Sequence, residues 1–225
     1  MRRFFCTLLC MIFLAGTGSG TTPEKYVAIT FDDGPSGRFT RRLLDGLEER
    51  DVKATFFLCG YRLKDYKTLA KRIYDEGHEI GLHGYSHENM GKMTETELRR
   101  EMDKTIALLP EGCKYTFLRP PGGSASAQLK TVAREYGVAL LNWSVDPRDW
   151  ANHDAAVVEA AVVEQVRDGD IILLHDMCDC SVDAALSIID TLQKQGFRFV
   201  TVSELAALQG SEITPGRMYT QFEKG

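Results

Sequence analysis

Three of the five histidines stand where they could do chemistry. His83 and His87 are spaced i, i+4, so one turn of chain brings both within reach of a single ion. His175 closes the apolar run Ile171–Leu174 and is followed by Asp176. Two adjacent carboxylates, Asp32 and Asp33, end another apolar run in Thr30-Phe31-Asp32-Asp33-Gly34-Pro35. On an extended chain, neighbours point to opposite sides, so one carboxylate can bind a metal while the other stays free as a base. Two histidines with one carboxylate, from Asp32 or Asp33, leave coordination positions open for water. Such a set suits zinc first, and cobalt, iron or manganese also. Plainer readings exist for each piece. The histidine pair could be a solvated loop, Asp-Asp-Gly-Pro is ordinary turn chemistry, and Arg119 could pair with a carboxylate or with solvent. No nucleophile elbow competes, because Gly84-Tyr85-Ser86-His87-Glu88 lacks its final glycine. Metal-activated water is therefore the favoured nucleophile.

These residues need a frame that brings them together. Apolar, β-rich runs recur near 26–31, 53–58, 79–83, 115–119, 138–144, 170–175 and 197–202. Helical spacing fills the gaps, near 38–50, 65–76, 94–109, 126–136, 154–167 and 182–195. Thr94 and Glu97 form a capping box, and Gly77, Gly137, Gly169 and Gly196 each stand where a helix would hand over to a strand. Seven strands separated by six helices predict a parallel sheet, as a (β/α) barrel of seven or eight strands or, second, as an open doubly wound sheet. In such folds the strand exits share one rim. The exits carry Asp32-Asp33, His83 to His87, Arg119-Pro120-Pro121-Gly122-Gly123, Asp146-Pro147-Arg148-Asp149-Trp150 and His175-Asp176. No glycine-rich nucleotide fingerprint follows the first strand.

The chain has 225 residues, 44% hydrophobic, 26% charged and 9% aromatic, which excludes a disordered tail, a coiled coil and a polytopic membrane protein. A net charge of −5 gives no electrostatic footprint for nucleic acid, and no stable protein partner is implied. Residues 1–20 read as an export signal: Arg2-Arg3, a mostly apolar run from Phe4 to Gly16, then small residues. That run is too short to span a bilayer of about 30 Å. The expectation is a secreted or cell-envelope protein, an uncleaved anchor being the lesser alternative. The catalytic domain then covers 21–210, and 211–225 reads as a polar, patternless tail. Cys59 is expected as a small buried hydrophobe, Cys178 and Cys180 as loop thiols without a disulfide, and Trp143 as core.

In order and spacing, the five segments resemble the NodB-homology polysaccharide deacetylases, carbohydrate esterase family 4, over roughly residues 24–208. The resemblance implies a distorted (β/α) barrel and the following roles. Asp32 would be the general base and Asp33 a metal ligand, with His83 and His87 the other ligands. Arg119 would hold Asp32. The Gly122 N–H would help bind the oxyanion, although the family usually carries an aromatic residue there. Asp149 would partner His175, the general acid, while Trp150 and Leu173 would line the acetyl pocket. Gly84 departs from the family's Ser/Thr, which removes a loop hydrogen bond but no ligand.

The implied reaction is metal-dependent N-deacetylation of N-acetylhexosamine residues in a polymer, releasing acetate. Peptidoglycan comes first as substrate, with chitin-type and biofilm polymers behind it. Two other readings remain: a non-catalytic glycan-binding module on the same scaffold, and an enzyme for an O-acetyl ester or another amide.

Overall fold

The protein is described by a computed structural model covering residues 24–224; the expected export signal lies outside the described residues. The chain alternates strand and helix as expected. It runs β1 (Lys25–Asp32), α1 (Gly37–Glu49), β2 (Thr55–Leu58), α2 (Gly60–Asp65), α3 (Lys67–Asp75), β3 (Glu79–Leu82), α4 (Glu95–Ile106), β4 (Phe117–Leu118) and α5 (Ala127–Glu135). It continues with β5 (Ala139–Leu141), α6 (Ala155–Gln165), β6 (Ile171–His175), α7 (Asp179–Lys194), β7 (Phe197–Phe199), α8 (Val202–Leu208) and β8 (Met218–Tyr219). All strand pairs are parallel, in the order β6-β1-β2-β3-β4-β5-β8, with β7 pairing the first half of β1. The sheet curls on itself. Just beyond β5, Val145 bridges Ile172 of β6, and the Leu173 N–H donates to the Val145 carbonyl at 2.9 Å. Among the described residues no helix is long and apolar enough to cross a membrane.

Period-two alternation decides what faces the barrel interior. Along β1, Val27, Ile29 and Phe31 point outward and pack under α1 and α7, while Ala28, Thr30 and Asp32 point inward. On β2, Phe56 and Leu58 face the helices and Phe57 faces inward. On β4, Leu118 faces outward; Phe117 and then Arg119 face inward. On β1, β4 and β6 the inner face runs from apolar at the start (Ala28, Phe117, Ile171) to polar at the exit (Asp32, Arg119, His175), whereas β3 already begins its inner face with Glu79, which accepts from the Thr55 hydroxyl of β2. Register sets the polar exits side by side: Asp32 lies opposite His175 on β6, and the Arg119 N–H donates to the Leu82 carbonyl, next to His83.

The polar composition of 211–225 predicts a tail outside the barrel, but the segment instead completes it. Met218–Tyr219 pairs with β5 as an eighth strand, and Phe222 is 1% exposed. The Phe222 N–H donates to the Gly169 carbonyl at 3.0 Å. Gly169 has a φ of +90°, and a β-carbon there would lie 1.9 Å from the Phe222 carbonyl oxygen, so only glycine permits this docking. The segment reads as patternless because two strand residues are too few to show a period. α2 and α8 also escape sequence reading, at six and seven residues each.

Candidate active site

At the exit of β1 the chain turns sharply, with Asp33 at a φ of +71°. His87 sits at +61°, so two of the three expected metal donors occupy a backbone region that costs about 1–3 kcal/mol for a non-glycine residue. The turns aim three atoms at one point. Asp33 Oδ1 lies 3.2 Å from His83 Nε2 and 2.9 Å from His87 Nε2. His83 Nδ1 is 2.7 Å from the Arg119 carbonyl, which can only accept, so Nδ1 carries a proton and Nε2 is the ring nitrogen turned toward Asp33. Burial works to raise the Asp33 pKa, but hydrogen bonds from His83 and His87 outweigh it and hold the carboxyl well below its usual range. The bond to Asp33 raises His87. Asp33 Oδ1 is buried and otherwise unpartnered, one anionic oxygen between two imidazole nitrogens. A divalent cation fits this donor set, two nitrogens and a carboxylate oxygen with the remaining directions open to the cavity.

Beside these donors sit two charged pairs. Arg119 is fully buried, its guanidinium 4.0 Å from the Phe57 ring centroid. It donates from Nη1 to Asp32 Oδ1 (2.7 Å) and Thr30 Oγ1 (2.7 Å), and from Nη2 to the Asn142 carbonyl (2.9 Å). Burial lowers the Arg119 pKa and Asp32 opposes that shift. Asp32 Oδ1 is thereby fixed, and Oδ2 faces the metal donors, 3.7 Å from His83 Nε2. Across the cavity, His175 Nδ1 is 2.8 Å from Asp149 Oδ1, while Asp149 Oδ2 accepts the His175 backbone N–H at 2.8 Å. Burial would lower the His175 pKa, but the Asp149 hydrogen bond and charge, with Asp32 and Asp33 beyond, raise it to about 9.

One cavity of about 460 Å³ gathers Asp32, Asp33, His83, His87, Gly122, Leu173, Trp150 and His175. Arg119 and Asp149 stand directly behind it. Gly122 has open space around its α-carbon where a side chain would stand. Trp150 lies at the mouth and is 57% exposed, with the Arg148 guanidinium 5.2 Å from its ring. Trp143, expected as core, instead lines the cavity and is half-buried. The apolar run 138–144 places Trp143 within a strand, but β5 ends at Leu141, two residues before it. Asp176 stands in the exit segment of β6, but its sequence gives it no role. It is fully buried, accepts from the Thr40 hydroxyl, and abuts Gly34, where a β-carbon would come within 2.6 Å of its Oδ1. Burial raises its pKa to about 6.

The cysteines differ from expectation at one place. Cys178 and Cys180 form a disulfide at the start of α7. The pairing occupies both sulfurs, which otherwise would cluster with His153 as donors. Local backbone geometry brings the two together, a feature that spacing alone did not disclose. Cys59 is fully buried as expected, beneath Asp33 and His83.

Comparison with known proteins bears on this arrangement. A family model described as polysaccharide deacetylase matches residues 19–141. A peptidoglycan-N-acetylglucosamine deacetylase of Bacillus cereus is 39% identical over 188 residues, covering 81% of this chain and 88% of that protein. The Listeria monocytogenes peptidoglycan-N-acetylglucosamine deacetylase PgdA is 36% identical over 203 residues, 89% of this chain. The match spans only 42% of the length of the Listeria protein. Among solved structures, a family 4 acetyl xylan esterase from Clostridium thermocellum, in complex with a cobalt ion, superposes with a TM-score of 0.81 at 36% identity, over 88% of this chain and 98% of that one. Matched over more than half its length by the family model, 39% identical to the Bacillus cereus deacetylase and sharing the fold of the solved esterase, the chain belongs to the polysaccharide deacetylase family.

Proposed function

We propose that the chain is a divalent-metal-dependent hydrolase that removes N-acetyl groups from N-acetylhexosamine residues of a polysaccharide. Peptidoglycan is the foremost substrate, and the expected export signal puts the work outside the cytoplasm or in the envelope. One observation carries the reading: the Asp33–His83–His87 donor set, the Asp32–Arg119 pair and the His175–Asp149 pair meet at a single cavity. Relatives named for peptidoglycan deacetylation support the polymer.

Asp33, His83 and His87 would hold the cation, zinc first and cobalt, iron or manganese as alternatives. When bound, it supplies Lewis-acid polarisation of the carbonyl and a lowered pKa for water. Asp32 takes the proton of the attacking water at Oδ2, and Arg119 holds that carboxylate in its orientation. Negative charge then grows on the former carbonyl oxygen, within reach of the Gly122 N–H. His175, protonated at Nε2 and steadied by Asp149, gives its proton to the departing nitrogen as the C–N bond breaks. Acetate and a free amino sugar leave. Leu173, Trp150 and Trp143 wall the space around the acetyl group.

The test is acetate release from N-acetylglucosamine oligomers and muropeptides with added zinc or cobalt. Asp32→Asn and His175→Ala are each expected to lower kcat by about 10²–10⁴-fold. Wild-type rates in either variant would overturn the mechanism. Acetate from acetylated xylan, with none from the amide substrates, would move the assignment to an ester.

A further inference from the structure

Two of the three metal donors ride on one loop, His83 to His87, and that loop is gripped from both sides. On one side the Gly84 and Tyr85 carbonyls accept from the Gly60 and Tyr61 N–H groups at 2.9 and 3.0 Å. These are the first residues of α2, whose N–H groups have no partner within the helix. On the other side, a single carboxylate oxygen collects three donors. Glu101 Oε2 accepts from the Tyr85 N–H (2.8 Å), the Ser86 N–H (2.8 Å) and the Ser86 hydroxyl (2.9 Å).

Glu101 lies on α4, is 5% exposed, and touches neither the cavity nor a metal donor directly. An anion buried this deeply needs charge-assisted partners. All three that contact Oε2 come from the metal-donor loop. The loop, for its part, has glycine at position 84, with a φ of +73°. A β-carbon there would lie 3.4 Å from Glu101 Oε2 and 3.2 Å from Met90 Sδ. The side-chain hydroxyl that could tie the loop from position 84 is therefore absent, and the Glu101 carboxylate fills that space.

We propose that Glu101 is the positioning residue of the metal-donor loop, with Ser86 as its side-chain partner, and that it sets metal affinity by fixing the angle between His83 and His87. This rests on the metal-dependent reading above. Partners that orient metal ligands typically contribute about 10- to 100-fold in affinity. A glutamine at 101 keeps the shape and one acceptor, but loses the charge that lets one oxygen hold three donors. Alanine at 86 removes a single donor and leaves the two backbone bonds.

The experiment is competition between the full chain and a chromophoric chelator for Zn²⁺, with the Co²⁺ absorption spectrum as a second readout. Glu101→Gln is expected to weaken Zn²⁺ binding by about 10- to 100-fold and to alter the Co²⁺ spectrum. Ser86→Ala is expected to weaken it by about 2- to 10-fold, the worth of one hydrogen bond, and keeps the proposal open to failure should Glu101→Gln not fold. Wild-type affinity in both variants, with only a lower unfolding temperature in the metal-free chain, would make Glu101 merely structural and overturn the proposal alone. Failure of the wild-type chain to bind Zn²⁺ or Co²⁺ would overturn the metal reading and this proposal with it.

Discussion

At the starting ends of the strands, Ala28, Phe117, Ala139 and Ile171 meet Val202, Leu205 and Ala206 of α8, and Tyr219 and Phe222 close the gap. At the finishing ends of β1, β3, β4 and β6 stand Asp32, His83, Arg119 and His175, all at least partly buried and each answered by a charged or hydrogen-bonding partner. The two ends lie only a few residues apart along each strand, yet they spend the chain differently. Apolar burial at one end stabilises by roughly 25 cal/mol per Å² removed from water. Buried charge at the other costs desolvation that good pairing offsets only in part. Stability should therefore reside at the closed end and reactivity at the open one, and substitutions should separate the two properties.

The largest separation should come from Phe222→Ala at the closed end. Truncating a fully buried phenylalanine costs about 3–5 kcal/mol, and the tail that carries it is the last of the chain to join the sheet. Denaturant unfolding should report that loss, while kcat/KM per folded molecule stays within twofold of wild type. Asp32→Asn should act chiefly on turnover, its cost in stability being confined to the Arg119 pair, whose buried guanidinium keeps an acceptor but loses its counter-charge. Equal losses of both properties in either variant would mean that the two ends are mechanically one unit.

A smaller, more specific effect concerns His175 and Asp149. An acid must be protonated to act, so kcat/KM should fall as pH rises through the His175 pKa, raised to about 9 in the metal-free chain. A bound cation nearby adds positive charge and should draw this limb lower. The sign for stability is the same. The folded pKa lies above the ordinary 6.5, so the stabilisation is complete below about 6.5 and lost as pH rises through about 9. Asp149→Asn removes the leading cause of the raised value and should move the alkaline limb down, with a lower plateau. An alkaline limb that stays in place in Asp149→Asn would show that another group sets it.

Most of this contrast could be read from the sequence, though unevenly. The strand positions of β1, β2 and β6 follow from their apolar runs, though runs apolar on both faces do not say which side turns inward, and the capping box of Thr94 and Glu97 forms as its spacing foretells. His83, His87 and the Asp32-Asp33 pair stand out because residue types able to hold a metal are few and these lie at strand exits, while the choice of Asp33 over Asp32 comes from the family resemblance. Residues that act by filling or holding do not stand out. Glu101 and Asp176 are ordinary acids in sequence, and only tertiary packing shows which loop each one grips. Phe222 failed to register because its partners lie far off in sequence, at Gly169 and in the barrel. Trp143 reads as core because the apolar run 138–144 carries it inside a strand, and only the early end of β5 at Leu141 turns it to the cavity.

The smallest expected effect lies at the cavity mouth, with Trp150. Family resemblance gives this ring to the acetyl pocket, while its 57% exposure leaves most of it facing solvent. An exposed side chain contributes little to folding, so Trp150→Ala should change stability by no more than about 0.5 kcal/mol. If the ring serves as an outer wall for the sugar, its loss should raise KM for oligomers by about 2- to 10-fold, the worth of one aromatic contact. The turnover number would then change less than KM. A fall in kcat with KM unchanged would instead mean that the ring closes over the reacting carbonyl once substrate binds, so that Trp150 works with the buried group at the open end. Steady-state kinetics on a series of oligomer lengths distinguishes the two, because an outer wall matters more as the oligomer grows.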